Sequence, residues 1–279
     1  MRPLTALLLL LVSAVDVRSA AATIQPGEQT LRFTESALQS GADEVKWRLR
    51  AVETPPSYDL SRETFRVVVP ATYTTNEAHG LFIWISAGNQ PSVPPDWLPV
   101  LAKHRLVFAG AKNSGNRRNI FDRIRLAVDL NHNLRGRLNV DARRVYVSGF
   151  SGGGRVASMV GVCYADMFSG AVCWMGVNFY RNVQSPSGKW YRQGYIPDTE
   201  VLGIAKRQGR YVLVTGDKDF NLDNTLAVFQ EGFRKGLFQH SELLRIPDQG
   251  HRLPAGRWLE RALDLLEGKK SITQTPESK

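Results

Sequence analysis

Residues 144–154 read RVYVSGFSGGG. The first half of this stretch is rich in β-branched and apolar side chains and predicts a strand, and the apolar residues from Val156 to Cys163 predict a helix. The turn between them, Gly149–Gly153, matches G-x-S-x-G, a pattern that presents a serine hydroxyl between a strand and a helix. A glycine-rich structural turn is the alternative interpretation. We predict a strand–turn–helix unit with the hydroxyl of Ser151 exposed at the turn.

Short apolar runs alternate with helical patterns on both sides of this unit. Such alternation is typical of βα units and of a mostly parallel sheet. The sequence therefore predicts an α/β fold with helices on both faces of a central sheet, preceded by an antiparallel pair of strands. The predicted strands are 45–52, 64–69, 81–86, 106–110, 144–148, 170–175, 210–215 and 241–246, and the predicted helices are 96–103, 119–136, 156–163, 223–236 and 258–266.

One histidine follows a predicted strand. In a parallel sheet the reactive groups belong on loops that leave the carboxyl ends of strands, and a nucleophilic serine needs a base within hydrogen-bond reach. His251 ends the sequence IPDQGH at residues 246–251, directly after the last predicted strand. The other four histidines lie on predicted helices or on the amino side of predicted strands: His79, His104, His132 and His240. We predict His251 as the base, with an ordinary surface histidine as the alternative.

The acid that orients such an imidazole is expected between the serine and the histidine in chain order. The strand predicted to end at Thr215 is followed by GDKDFN, residues 216–221. Asp219 is preferred over Asp217 because the longer turn places it over the site more readily. Asp248 is a poorer candidate because it is only three residues from the histidine in the same loop.

Acyl transfer passes through an oxyanion that backbone N–H groups stabilise. The residue after the serine, Gly152, is expected to supply one donor, and the loop after the strand 81–86 is expected to supply the other. That loop contains Gly88 and Asn89, which are the candidates for the second donor. The alternative is that these two residues only form the turn.

These residues resemble those of the α/β-hydrolases, and within them secreted esterases similar to poly(3-hydroxybutyrate) depolymerase-like proteins, feruloyl esterases and acetylxylan esterases. The resemblance rests on residues 144–154, on 216–221 and on Gly250-His251, and it extends over about residues 45–267. It implies the α/β-hydrolase fold for nearly the whole of the mature chain.

The resemblance also implies that Ser151, Asp219 and His251 form the triad of a serine carboxylic-ester hydrolase. Such an enzyme works through an acyl-enzyme intermediate, with no cofactor and no metal, on a small-molecule or polymeric ester. Two alternatives stay open: a serine peptidase or acyltransferase with the same triad, or a non-catalytic polysaccharide-binding protein. The last is favoured by Ser86-Ala87-Gly88, which stands where the family usually has His-Gly.

Two further stretches supply candidate substrate contacts. The loop after the strand 106–110 contains Asn116, and residues 177–209 show weak periodicity and many aromatic and basic side chains, among them Tyr180 and Trp190. We interpret 177–209 as a short lid-like insertion whose aromatic rings stack on the substrate. The alternatives are a solvated loop for the first stretch and aromatic anchoring of an irregular insertion for the second.

The N-terminus has the pattern of a secretory signal peptide. An arginine precedes the apolar run 4–15, which is too short to span a bilayer, and the small residues 19–22 suit a signal peptidase. We predict a signal peptide at 1–22, a hydrolase domain at 23–268, a polar tail at 269–279, and a secreted or periplasmic protein without stable membrane insertion. An uncleaved anchor is the alternative.

The composition excludes several classes of protein. A chain of 279 residues with 43% hydrophobic and 22% charged residues is neither a disordered protein nor a polytopic membrane protein. The net charge of +10 is spread along the chain, so nucleic acid is not the expected partner. Cys163 and Cys173 are too few for a thiolate metal site and leave either one disulfide or two free thiols open. The oligomeric state does not follow from the sequence.

Overall fold

An eight-stranded sheet and a separate two-stranded hairpin form the β-structure of residues 24–269, the part of the chain that the computed structural model describes. The strands are β1 (Gly27–Leu31), β2 (Phe65–Val69), β3 (His79–Ile85), β4 (Leu106–Ala111), β5 (Val140–Phe150), β6 (Gly170–Trp174), β7 (Val183–Gln184), β8 (Trp190–Tyr191), β9 (Arg210–Gly216) and β10 (His240–Ile246). The helices are α1 (Ala42–Leu49), α2 (Trp97–Lys103), α3 (Ile120–Arg135), α4 (Gly152–Cys163), α5 (Thr199–Gln208), α6 (Leu222–Ala227) and α7 (Gly256–Leu266).

The large sheet is mostly parallel, as the sequence predicts. Its strands follow the order β1-β2-β4-β3-β5-β6-β9-β10, and β2 runs antiparallel to both β1 and β4. The other neighbouring pairs, from β4 to β10, are parallel. The carboxyl ends of β5, β6, β9 and β10 therefore meet at one edge of the sheet, which we call the carboxyl edge.

Helices cover both faces of the sheet. Since side chains of a strand alternate between its faces, each strand contributes to the apolar core on either side. On β3, Leu81 and Ile83 belong to the larger apolar core, with side chains of α3 and α4. Phe82 and Trp84 belong to a second core on the opposite face, with side chains of α2 and α7. The prediction of helices on both faces is confirmed.

The segment predicted as a strand at 45–52 is mostly the helix α1, so that prediction was wrong. Val45 and Leu49 are buried at helical spacing, and the left-handed conformation of Arg50 (φ 44°) ends the helix. The antiparallel partner of β2 is β1 instead. A run in which apolar and charged residues alternate fits both periods over so short a length.

The predicted lid-like insertion at 177–209 differs from the structure in its second half. Residues 199–208 form α5, whose start is capped by the side chain of Asp198 accepting a hydrogen bond from the backbone of Glu200 at 2.8 Å. The irregular part is shorter and contains the hairpin β7–β8. The helix predicted at 223–236 is α6, which begins after Asn221 and continues as a π-helical turn over Val228–Arg234.

Cys163 and Cys173 are both buried free thiols, so the alternative of a disulfide between them is not the one found. The predicted signal peptide at 1–22 and residues 270–279 of the predicted tail lie outside the described residues. Within residues 24–269, no helix combines the length and the apolar character needed to cross a bilayer.

Candidate active site

The turn after β5 holds Ser151 in an unusual backbone conformation. Its φ of 55° and ψ of −119° belong to a region that costs a non-glycine residue about 1–3 kcal/mol unless its surroundings enforce it. The N–H of Ser151 donates to the carbonyl of Trp174 at 2.8 Å. A Cβ at Gly153 would lie 2.0 Å from the carbonyl oxygen of Ile85. The close approach of β3 therefore requires glycine there and fixes the turn.

His251 lies in the loop after β10 and contacts Ser151. Its Nε2 is 2.9 Å from the Oγ of Ser151. The rings of Phe150 and Phe220 lie 4.8 and 4.0 Å from the imidazole, centroid to centroid. These two aromatic contacts restrict the orientation of the imidazole.

Asp219 completes a continuous hydrogen-bonded chain. Its Oδ1 is 2.7 Å from the Nδ1 of His251, and its side chain is fully buried. The same carboxylate accepts hydrogen bonds from the backbone N–H of Asn221 and from the hydroxyl of Thr215, each at 3.1 Å. With three donors on its two oxygens, the buried charge is compensated and the carboxylate has one orientation.

The other acids in these loops point away from the histidine. Asp217 forms an ion pair with Arg245, and Asp248 pairs with Lys218 at 2.9 Å on the surface. Of the two aspartates left open by the sequence, the structure brings Asp219 to the imidazole.

The backbone N–H groups predicted to bind the oxyanion differ in their hydrogen-bond partners. Gly152 is the first residue of α4, and N–H groups in the first turn of a helix have no helical acceptor. The N–H of Gly88 donates to the hydroxyl of Ser86 at 3.1 Å, and that hydroxyl donates to the carbonyl of Gln90 at 2.7 Å. The carbonyl of Asn89 accepts from the N–H of Asn113 at 2.7 Å. Ser86, the departure from the family pattern, therefore occupies the Gly88 donor.

A buried arginine on α3 holds this loop. Arg123 is 5% exposed and donates from Nη2 to the carbonyl of Ser86 at 2.9 Å and from Nε to that of Ser114 at 2.7 Å. Because the C=O and N–H of a trans peptide point in opposite directions, the first bond fixes the direction of the Ala87 N–H. Within residues 24–269 no carboxylate pairs with this guanidinium, and burial lowers its pKa to about 10.

The three predicted substrate contacts lie in different surroundings. Asn116 lies beside the turn that carries Ser151, since a Cβ at Gly152 would lie 2.1 Å from its Oδ1. Trp190 is 62% exposed on the hairpin, next to Tyr191, whose hydroxyl donates to Asp223 after β9 at 2.9 Å. Tyr180 packs instead in an aromatic cluster with Phe179, Tyr195 and Phe238.

One group of side chains in the described part of the chain has a spacing that a metal ion could use: His104, Asp264 and Glu267, with ligand atoms within 4.8 Å of one another. It lies away from Ser151, at the amino ends of the strands. Glu267 is already paired with Arg144 at 2.6 Å and with Lys269 at 2.7 Å. Because Arg144 and Lys269 already neutralise the carboxylate of Glu267, these side chains form a cluster of ion pairs.

The sequence did not single out Thr215, Asn221 or Arg123. The first two flank the predicted acid within residues 215–221, and hydroxyl and amide side chains beside a candidate carboxylate are a signal that could have found them. Arg123 carries no such signal, because its partners are the backbone of two loops distant in the chain.

The strand order, the turn at Ser151 and the positions of Asp219 and His251 after β9 and β10 define one class of protein. The chain has the α/β-hydrolase fold, as the resemblance in the sequence implies.

Solved structures support this fold. They include a dipeptidyl aminopeptidase IV-like protein from Bacteroides ovatus (TM-score 0.56, 16% identity), Est1E from Butyrivibrio proteoclasticus (0.53, 14%) and the esterase Est2 from Thermogutta terrifontis (0.52, 18%). The matches cover 87%, 74% and 78% of this chain, respectively. This chain spans 36% of the first protein but 92% and 91% of the other two.

No protein-family model matches the chain, and no curated protein sequence matches it. None of the three structures named above is described as a poly(3-hydroxybutyrate) depolymerase. The narrower resemblance to that group stays a prediction.

Proposed function

We propose that this protein is a serine hydrolase that cleaves carboxylic esters. The observation that carries the proposal is the hydrogen-bonded chain from Ser151 through His251 to Asp219, with distances of 2.9 and 2.7 Å. This constellation recurs on unrelated folds, where it performs acyl transfer. Here its members come from the ends of three strands that are separated in the chain but adjacent at the carboxyl edge.

In the first half-reaction, Ser151 is the nucleophile. Its Oγ attacks the ester carbonyl carbon while the Nε2 of His251 accepts the hydroxyl proton. Asp219 accepts the Nδ1–H, fixes the tautomer and stabilises the imidazolium. The oxyanion is stabilised by the N–H of Gly152 and by the N–H of Ala87, whose direction Arg123 fixes. The imidazolium then gives its proton to the departing alcohol, and the acyl group stays on the serine.

In the second half-reaction, water takes the place of the alcohol. His251 accepts a proton from water, the hydroxide attacks the acyl carbon, and the same donors stabilise the second oxyanion. Collapse of this intermediate releases the carboxylic acid, and the proton returns to the Oγ of Ser151. All four proton transfers pass through one nitrogen, Nε2 of His251, so no cofactor is invoked.

Two observations support an ester rather than a peptide as the substrate. The chain matches more than nine-tenths of Est1E and of the Thermogutta terrifontis esterase, but about a third of the peptidase-like protein. The sequence also resembles secreted esterases, and the predicted signal peptide at 1–22 supports export. A peptidase would carry the same triad, so the substrate panel below includes peptides.

A fluorophosphonate probe tests the nucleophile directly. Thermogutta terrifontis esterase 2 has been solved phosphorylated by paraoxon, an organophosphorus reagent of the same general class. We expect the probe to label this protein and labelling to vanish in Ser151→Ala. Ser187→Ala, at an exposed serine of the hairpin, is the control and should label normally. Labelling that survives Ser151→Ala, or none at all, would reject a serine hydrolase; cleavage of peptide anilides but not of p-nitrophenyl esters would reject an esterase.

A further inference from the structure

A small cavity lies beside α4 with arginine side chains around it. Its volume is about 190 Å³. The polar residues of its wall are Arg155, Asn178, Arg181, Tyr191, Arg192 and Asn224. We call this cavity the arginine pocket.

The arginine pocket lies at the same edge of the sheet as the triad. Arg155 is one helical turn after Ser151, and its N–H donates to the carbonyl of Ser151 at 3.0 Å. Its guanidinium donates to Asn221 at 3.0 Å, and the N–H of Asn221 donates to Asp219. Asn178 follows β6, and Asn224 follows β9. The wall of the pocket is therefore joined to the triad through Arg155 and Asn221.

Two carboxylates lie near the pocket without pairing with its arginines: Asp219, which attracts Arg155 through space, and Asp223, which accepts from the hydroxyl of Tyr191. Within residues 24–269, none of Arg155, Arg181 and Arg192 forms an ion pair with a carboxylate. The guanidinium of Arg155 donates instead to neutral oxygens, those of Val177, Asn178 and Asn221. Three of its five N–H groups are used in this way, so two remain for a ligand. Burial lowers the pKa of Arg155, and the attraction of Asp219 offsets only part of that effect.

A second observation also points to a ligand. Asn224 is 5% exposed, and its Oδ1 has no hydrogen-bond partner within the described residues. A buried amide oxygen without a donor costs about 1–3 kcal/mol. A ligand hydroxyl in the pocket would satisfy it.

We propose that the arginine pocket binds a carboxylate on the substrate, so that the enzyme selects esters whose acyl or alcohol part is itself an anionic acid. Charge-assisted hydrogen bonds between guanidinium groups and a carboxylate supply the selectivity. A hydroxyl near that carboxylate bonds the Oδ1 of Asn224. This inference rests on the proposed ester hydrolysis and adds to it the class of substrate.

The test compares two esters of equal chain length, p-nitrophenyl hemiglutarate and p-nitrophenyl valerate, which differ in a terminal carboxylate. In the wild type we expect kcat/KM to favour the hemiglutarate. In the double variant Arg181→Gln/Arg192→Gln the ratio of the two kcat/KM values should fall at least tenfold. Added NaCl should reduce the wild-type preference, because salt screens the attraction. Arg143→Gln, an exposed arginine far from the triad, is the matched control and should keep the wild-type ratio.

Calorimetric titration with glutarate tests the pocket without turnover. We expect binding to the wild type and to Arg143→Gln, and loss of binding in the double variant. Hydrolysis of the valerate with no preference for the hemiglutarate, and no glutarate binding, would overturn the pocket while ester hydrolysis stands. Failure of the probe to label Ser151, with glutarate still bound, would overturn the proposed function and leave the anion site.

Discussion

Among the buried or half-buried arginines beside the central sheet, Arg144 and Arg48 at the amino edge pair with carboxylates, those of Glu267 at 2.6 Å and Asp166 at 2.7 Å. Arg123 and Arg155 at the carboxyl edge do not, although Arg118 at that edge pairs with Glu63. Arg123 and Arg155 donate only to carbonyl, amide and other neutral oxygens. A larger cavity, about 640 Å³, lies at the amino edge, and the neutralised pairs contribute to its wall.

This difference separates structural charge from charge that is available to a ligand. A buried cation is costly to desolvate, and a carboxylate partner returns part of that cost. Where the partner is missing, the positive potential extends into the adjacent space. Cavity size alone would have selected the amino edge, whereas Arg123 and Arg155, which have no carboxylate partner, lie at the edge that holds Ser151.

The largest expected effect concerns the acid of the triad. Asp219→Asn keeps the shape of the side chain but favours the wrong tautomer of His251, so we expect kcat to fall about 10⁴-fold. Asp217→Asn, two residues earlier and paired with Arg245 at the surface, should stay within about twofold of the wild type by the small weight of exposed ion pairs. Ester kinetics on both variants decide the point. Equal losses would mean that the whole loop, and not this carboxylate, supports activity.

A smaller effect is expected from the arginine behind the oxyanion loop. Arg123→Lys keeps the charge but cannot hold the carbonyls of Ser86 and Ser114 together. Loss of one oxyanion donor costs about 10²-fold in kcat, and we expect a fall of that order with KM nearly unchanged.

Arg125 offers a matched control for Arg123. It lies on the same helix, is also buried, and donates to the carbonyl of Pro56 at 2.7 Å, away from Ser151. Arg125→Lys should lower stability without the loss of kcat. If both variants lose stability alike and neither loses kcat, Arg123 has only a structural role.

A substitution at the amino edge, Glu267→Gln, is expected to change stability and to leave activity unchanged. Burial acts to raise the pKa of Glu267, but hydrogen bonds from His104, Lys269 and Arg144 outweigh it and hold the pKa at about 2. An unfolded glutamate has a pKa of about 4.3. The carboxylate therefore contributes stability that is complete above about pH 5 and is lost as the pH falls towards 2. Glu267→Gln should remove about 3 kcal/mol of this pH-dependent stability by the size of the shift.

Urea unfolding at pH 7, 5 and 3 measures that contribution. The wild type should lose stability between pH 5 and pH 3 more steeply than Glu267→Gln, while kcat at pH 7 is the same for both. Loss of activity in Glu267→Gln would mean that the amino edge is functional, contrary to the structural role assigned to its charges. Parallel stability curves would contradict the lowered pKa.

The sequence predicted what depends on local pattern. The turn at Ser151 was recognisable because glycines and a strand–helix context are consecutive in the chain, and His251 because few histidines follow a strand. The strand β1 was missed, since GEQTL is polar and its residues are mostly exposed at the edge of the sheet. Arg123 and Arg155 were not predictable in their roles, because each acts on backbone or side chains brought near only by the fold.

Both cysteines are buried free thiols, so we expect the stability of this fold to be independent of the redox state of its surroundings. Cys163 and Cys173 are almost inaccessible, and burial raises the pKa of Cys173 to about 12. A thiol that does not ionise neither exchanges with disulfides nor oxidises readily. Since Cys163 and Cys173 form no disulfide in residues 24–269, we expect this part of the chain to reach the same fold under reducing and oxidising conditions.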